Sequence, residues 1–368
     1  MVLVKNFIKK NIVMCIAFLA ALITCFFVPI DKEYFGYFDF KTLTCLFCVL
    51  AVVCALKDVN FFYILAEKIV EHFKNVRLCV IALVYITFIG SMLIANDMAL
   101  LTFLPLGYLV LSTTGKEKYM AFTFILQNVA ANLGGMLTPF GNPQNLYLYT
   151  KFSIPNGEFV SIMALPFIIS IVIITACCFL IRPEPLKLEQ QIPRLNWKKT
   201  SFYLILFAFS IAIVFRGIPY WTGLIVIPLA LWFTDRNALK AVDYPLLLTF
   251  VFFFVFSGNM ARIDAVSNIM SILLEKNTLL FSVLSCQFIS NVPSAILLSQ
   301  FTEDYADLLV GVNIGGVGTL IASLASLITL REYVKHNPRK TLKYIGEFSI
   351  VNFAFLILLT GTMMAIKR

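Results

Sequence analysis

The sequence Ala95-Asn96-Asp97-Met98 interrupts an apolar run in the first half of the chain, and Ser290-Asn291-Val292-Pro293 interrupts a matching run in the second half. Each interruption is followed by a second matched segment, Asn132-Leu133-Gly134-Gly135-Met136 in the first half and Asn313-Ile314-Gly315-Gly316-Val317 in the second. The interruptions are 195 residues apart and the later segments are 181 apart, so the elements follow the same order in both halves. Polar breaks in hydrocarbon-length helices, repeated once per half, indicate an internal repeat around a transport site.

The composition is that of a membrane protein. Of the 368 residues, 60% are hydrophobic and 13% are charged, whereas soluble domains carry about 25% charged residues. Several windows reach the roughly 20 apolar residues that cross a bilayer, namely 11–30, 158–181, 308–330 and 345–366. The net charge of +9 comes from short basic clusters between apolar runs and not from one basic stripe, so we expect a lipid bilayer around the chain and no nucleic-acid partner.

The basic clusters predict an orientation, because positive residues favour cytoplasmic loops. Three lysines precede the first span, whereas acidic residues dominate the next loop; the lysines are Lys5, Lys9 and Lys10. We therefore predict a multi-pass protein of the plasma or inner membrane with a cytoplasmic N-terminus. Later clusters within 57–77, 182–199 and 331–343 fall on the same side, and Lys367-Arg368 falls on the other.

The predicted fold is an all-α polytopic membrane protein with about nine spans and two re-entrant hairpins. Two inverted-topology repeats, 1–181 and 200–368, flank a cytoplasmic linker at 182–199. The charges place both ends of the first hairpin in the cytoplasm and both ends of the second outside. The hairpins are predicted at 78–112 and 279–302, the broken helices at 118–150 and 308–330, and two amphipathic segments at 60–75 and 260–276.

Asp97 is the residue that most strongly suggests chemistry. An acidic residue near the centre of a membrane helix costs about 2.5–3.5 kcal/mol on insertion scales and usually marks an ion site or a proton relay. The alternative is that Asn96 or Asp97 only caps the second hairpin arm. The repeat places Asp97 opposite Val292, so only one half carries the acid.

Other chemistries have weaker support. All nine cysteines lie in apolar runs, and Cys45-Leu46-Phe47-Cys48 has no second pair of metal ligands, so we predict no cofactor and no metal beyond sodium ions. An intramembrane enzyme would need a nucleophile and a base at bilayer depth, and Asp97 has no acidic neighbour in sequence. We therefore predict that the chain is not an enzyme. A passive channel is an alternative, because polar re-entrant loops also line pores.

Three segments resemble the ion transporter superfamily, which contains divalent-anion sodium symporters, citrate carriers, arsenite efflux permeases and sodium/proton antiporters. These segments are Asn132 to Asn145, Ser290 to Ser294 and Gly311 to Ser323, and the resemblance covers nearly the whole chain. It implies an elevator-type carrier, usually a homodimer. The expected function is secondary transport of a small anion, such as a di- or tricarboxylate, coupled to sodium or protons.

The resemblance also implies site residues. It places substrate near Asn142, Pro143, Ser290 and Asn291, to which Asn96 and Ser323 are added as candidates. It places one ion near Asn96 and Gly141 and a second near Asn291 and Ala322, with Asp97 as a coupling residue. The pair Asn96-Asp97 at the first turn resembles the sequences of the arsenite and antiporter branches of the superfamily. Efflux of arsenite or another inorganic anion, and sodium/proton antiport, are therefore the alternatives.

Overall fold

The computed structural model describes residues 11–186 and 195–366. It is 81% helical, and eight helices in these ranges are long and apolar enough to cross a membrane. Shorter apolar helices accompany them, namely Val13–Cys25, Tyr220–Thr234 and Tyr305–Ile314. The prediction of an all-α polytopic membrane protein is confirmed.

Parts of two predictions fall on residues outside the described ranges. They are the terminal charges used for orientation, Lys5, Lys9, Lys10 and Lys367-Arg368, and positions 187–194 of the predicted linker. The side to which the N-terminus belongs therefore stays a prediction.

Seventeen α-helices follow one another in the described residues. The first half contains α1 (Ile12–Cys25), α2 (Phe40–Asp58), α3 (Phe61–Glu71), α4 (Val76–Ile94), α5 (Asn96–Thr113), α6 (Met120–Gly134), α7 (Pro143–Lys151) and α8 (Asn156–Phe179). The second half contains α9 (Trp197–Val214), α10 (Tyr220–Thr234), α11 (Arg236–Ala241), α12 (Tyr244–Ala261), α13 (Asp264–Ile289), α14 (Asn291–Leu298), α15 (Tyr305–Ile314), α16 (Leu324–His336) and α17 (Thr341–Ile366).

Packing divides most of these helices into two groups. In the first, α1 packs along α12, and α2 packs against α9, α10 and α11; we call α1, α2 and α9 to α12 the frame group. In the second, α4 packs against α6, α13 against α15, and α16 and α17 against α6; we call α4 to α8 and α13 to α17 the hairpin group. The two groups meet where α2 contacts α7 and where α12 contacts α14.

Helix α13 is divided by Asn277, whose backbone is extended (φ −169°, ψ 92°). The side chain of Asn277 then accepts a hydrogen bond from the amide of Leu280 at 2.8 Å, which is the geometry of a helix N-cap. The two parts of α13 are therefore separate helical pieces. The second piece leads into α14, and together they form a pair of helices equivalent to α4 and α5.

The start of the linker is fixed to the first half of the chain. The amide of Val76 donates to the carbonyl of Glu184, and the amide of Leu186 donates to that of Lys74, both at 2.9 Å. The Glu184 carboxylate accepts from Lys116 at 2.8 Å, from Lys118 at 2.5 Å and from the Tyr119 hydroxyl at 2.6 Å. These three donors lower the pKa of Glu184 from 4.5 to about 2, and Lys116 has the largest effect.

The Glu184→Gln variant should lose part of the acid sensitivity of the fold. Because the pKa of Glu184 is lower in the folded state, its carboxylate stabilises the protein above pH 4.5, and this contribution is lost as the pH falls towards 2. Thermal unfolding measured between neutral and acidic pH should show a smaller decrease for Glu184→Gln than for the wild type. The exposed Glu117 of the same loop provides a control as Glu117→Gln. Equal pH slopes for wild type and Glu184→Gln would contradict this role.

Glycines allow α6 and α15 to lie against the hairpin arms. A Cβ atom at Gly134 would lie 2.2 Å from the carbonyl oxygen of Phe88, and one at Gly315 would lie 2.7 Å from Cys286 Sγ. Phe88 belongs to α4 and Cys286 to α13. The same close approach therefore occurs in both halves, and this is a packing role, as small residues have in membrane helices.

The Gly134→Ala variant should unfold at a lower temperature than the wild type. The obstructing atom is a backbone oxygen, and overpacking of this kind typically costs about 1–3 kcal/mol. Gly361, in the interior of α17, has open space around its Cβ direction, so Gly361→Ala should be neutral or up to about 1 kcal/mol more stable. Thermal unfolding in detergent compares the two variants, and equal midpoints would refute the packing argument.

Candidate functional site

Each hairpin turns on a residue with a strained backbone. Ala95, between α4 and α5, has φ 66° and ψ 151°, and Ser290, between α13 and α14, has φ 75° and ψ 158°. This region is normally restricted to glycine, and a residue held there costs of the order of 1–3 kcal/mol. The same strained turn occurs at equivalent positions of the two halves. The surrounding contacts must therefore hold it in place.

The contacts that hold the turns come from the break of the broken helix in the same half. The amide of Asn96 donates to the carbonyl of Gly141 at 3.1 Å, and that of Asn291 donates to the carbonyl of Ala322 at 2.9 Å. Ser290 Oγ also donates to Ala322 O at 3.2 Å. The sequence predicts Gly141 and Ala322 at the ion sites. In the structure, their carbonyl groups accept the hydrogen bonds that hold the turns. A carbonyl has two lone pairs. Among the described residues, the carbonyl of Ala322 already has two donors, whereas that of Gly141 has one and can still accept a second partner.

A buried amide network joins the two halves. Asn96 Nδ2 donates to Asn132 Oδ1 at 3.2 Å, and Asn142 Nδ2 donates to Asn132 O and to Asn313 Oδ1, both at 3.0 Å. Asn313 Nδ2 in turn donates to Asn145 Oδ1 at 2.6 Å. Asn132, Asn142, Asn145 and Asn313 are each at most 1% exposed. The position of each helix break therefore depends on a side chain from another segment.

A cavity of about 310 Å³ lies beside the two turns. Its walls come from both turns, from the starts of α7 and α16, and from the apolar faces of α1 and α12. Six predicted site residues line it: Asn96, Asp97, Pro143, Ser290, Asn291 and Ser323. The other three, Gly141, Asn142 and Ala322, are not in its lining. Gly141 and Ala322 accept the hydrogen bonds that hold the turns, and Asn142 donates to Asn132 and Asn313.

Four helices begin at the wall of this cavity. Helices α5 and α14 start at the turns, and α7 and α16 start at the breaks, so that the first residues of each contribute to the lining. Helix N-termini carry a partial positive charge that favours an anion, and this charge remains although the first amides of α5 and α14 are paired with Gly141 and Ala322. The helix N-termini therefore contribute positive electrostatic potential to the cavity, although neither turn has a basic side chain.

Among the described residues, three charged side chains line the cavity, namely Asp97, Asp243 and Arg331. A smaller cavity adjoins the frame helix α2 and is lined by both Asp97 and Asp243. Sequence reasoning did not select Asp243 or Arg331. Asp243 is the N-cap of α12, an ordinary place for aspartate, and Arg331 lies in a basic cluster that was used only to predict orientation.

Several buried acceptor oxygens at the site have no hydrogen-bond partner among the described residues. They are Asp97 Oδ1, Asn142 Oδ1 and Gln144 Oε1. Helix α5 begins at Asn96, and it is Asn96 Oδ1 that accepts from the amide of Asp97, at 2.9 Å. Asp97 Oδ1 thus does not cap the arm, and it is directly available to an ion or a proton.

The structure combines a bundle of apolar helices with two strained turns and two helix breaks around one cavity. These features define a membrane transporter. The chain belongs to the citrate transporter family CitMHS, whose model matches residues 1–309. It is 35% identical over 302 residues to the uncharacterized transporter MJ0456 of Methanocaldococcus jannaschii, covering 81% of this chain and 82% of the relative. It is 28% identical over 317 residues to the inner membrane protein YbiR of Escherichia coli, covering 83% of each. The resemblance seen in the sequence is confirmed.

Removing the side chain of Asn313 should destabilise the whole site. Asn313→Ala leaves Asn145 Oδ1 and one donor of Asn142 without their partner in the interior, and each unsatisfied buried group costs roughly 1–3 kcal/mol. The exposed Asn237 of α11 provides a control as Asn237→Ala. Thermal unfolding in detergent should separate the two variants. A double-mutant cycle with Asn145→Ala should show coupling, and additive effects would mean that the hydrogen bond does not contribute.

Proposed function

We propose that this transporter moves a small anion of the di- or tricarboxylate class by secondary active transport, coupled to sodium or protons. The observation that supports this most directly is the convergence of four helix N-termini on one cavity. Such ends bind carboxylates and other anions through backbone amides. The family description, citrate transporter, names the same class of substrate.

The coupling cation would bind at the first turn. Asp97 supplies a buried carboxylate oxygen without a hydrogen-bond partner, and Gln144 Oε1 is a second such acceptor on the cavity wall. The resemblance to the superfamily adds the surroundings of Asn96 and Gly141 and of Asn291 and Ala322 as sodium sites. Hard cations prefer oxygen ligands of these kinds.

The frame group and the hairpin group are the two bodies that an elevator-type cycle would move against each other. The cavity lies between them, and its lining includes Asn11, Asp243 and Arg331. The charge pattern places these three residues towards the cytoplasm, so the structure corresponds to the inward-facing state under that orientation. We also propose a homodimer in the plasma or inner membrane, formed through the frame group, in line with the superfamily resemblance.

An alternative function is efflux of arsenite or another inorganic anion, or sodium/proton antiport. One observation favours this alternative: the described residues of the cavity lining include two carboxylates and a single basic side chain. This balance suits a cation better than a polyvalent anion.

Transport in proteoliposomes distinguishes these functions. The wild type should accumulate labelled citrate or succinate under an imposed sodium or proton gradient. Asp97→Asn should abolish this accumulation, because the amide cannot carry the charge or the proton, while the protein still folds. The control is Asp264→Asn, which changes an exposed acid at the start of α13.

The outcomes differ for each function. Gradient-driven accumulation by Asp97→Asn equal to that of the wild type would remove Asp97 from the coupling mechanism. No movement of carboxylates by the wild type, together with sodium-driven release of internal protons, would assign the chain to the antiporter branch.

A further inference from the structure

Two carboxylates face the same cavity from opposite sides of the boundary between the groups. Asp97 lies at the first turn of the hairpin group, and Asp243 lies at the start of α12 in the frame group. We propose that Asp243 is a second ligand of the coupling cation and shares that cation with Asp97 in the state seen here. This inference rests on the proposed coupling to sodium or protons.

The placement of the two residues supports a shared site. Both line the main cavity and also the smaller one, where Pro143 and Leu246 are common neighbours. Asp243 is exposed, and its Oδ1 accepts from the amide of Leu246 at 3.0 Å, which restricts the orientation of the side chain.

A second observation independently points to a ligand. Gln144 is 1% exposed and lines the main cavity, yet its Oε1 has no hydrogen-bond partner among the described residues. Asp97 Oδ1 is in the same condition. Buried acceptors without donors are destabilising, and a cation or a proton between these oxygens relieves that penalty. Gln144 has no counterpart in the other half, where Ala325 occupies its position in the repeat.

The surrounding charges show how such a site would couple ion and substrate. In the described part of the cavity lining, Arg331 is the basic residue, and Asp97 and Asp243 are the acids. Among the described residues of the lining, the ionised forms of these three groups carry a net negative charge, which repels an anion from the four helix N-termini. One bound monovalent cation neutralises this charge. The anion then binds only after the cation.

The site also depends on the conformational state. Asp97 and Asp243 belong to different groups, so relative motion of the groups would separate the two carboxylates. The cation would then have two acidic ligands in the state described here and only one after the motion. Affinity for the cation would therefore differ between the two sides of the membrane.

Asp243→Asn tests this inference with a close control in the same chain. Asp235 is also a helix N-cap, accepting from Asn237 and Ala238 at 3.2 Å at the start of α11, but it does not line either cavity. Asparagine caps helices as well as aspartate does. Asp243→Asn and Asp235→Asn therefore each remove one charge and keep one cap.

The measurement is cation binding to the purified full-length protein, by calorimetric titration with sodium chloride at fixed pH and by potentiometric proton titration without sodium. We expect Asp243→Asn to weaken binding of the ion that the wild type binds by about tenfold or more, as loss of a ligand-shell carboxylate does. We expect Asp235→Asn to match the wild type. Asp97→Asn combined with Asp243→Asn should be little worse than Asp97→Asn alone.

The results separate this inference from the proposed function. Wild-type affinity in Asp243→Asn for both sodium and protons would overturn the inference and leave the proposed function standing. A wild type that binds a cation through both acids but moves no carboxylate would support the inference and overturn the proposed substrate class. A wild type that binds neither ion would overturn both.

Discussion

A helix that breaks inside hydrocarbon exposes amide and carbonyl groups that water cannot reach, and the structure of this site follows from how the chain satisfies them. The carbonyls of Gly141 and Ala322 accept from the backbone of the turns, so each break and each turn satisfy one another. The side chains of Asn142 and Asn313 complete the pairing across the two halves. Asparagine suits this role, because its short side chain offers donors and acceptors together. Once these groups are paired, the positive ends of four helices remain at the cavity wall, and they are the basis of the anion site proposed above.

The two halves share a framework but differ in chemistry. Asp97 and Gln144 bring acceptor oxygens to the first half, whereas Val292 and Ala325 occupy the equivalent positions of the second. The second half instead offers Ser290, whose hydroxyl group lies at the cavity and bonds to its own break. The first half therefore brings a carboxylate to its turn, and the second brings a hydroxyl group.

Much of the site could be predicted from sequence, because polar residues inside apolar runs are costly and hence informative. The turns at Asn96 and Asn291 were located in this way, as were the breaks. The strain at Ala95 was not foreseen, because positive φ is expected at glycine and alanine gives no such signal. Asp243 and Arg331 were missed for a different reason. The positions of Asp243 and Arg331 in the sequence do not show that they lie at the cavity, because the packing of α12 and α16 around the cavity brings them there.

The matched hydrogen bonds at the two turns also bear on the origin of the chain. Asn96 with Gly141 and Asn291 with Ala322 form the same bond at positions that the repeat relates, as expected of a duplicated gene. A half-length ancestor could form such a site only as a dimer of two identical chains, and its two turns would then be identical. In a single chain each turn can change independently of the other, and here only the first turn carries a carboxylate, that of Asp97.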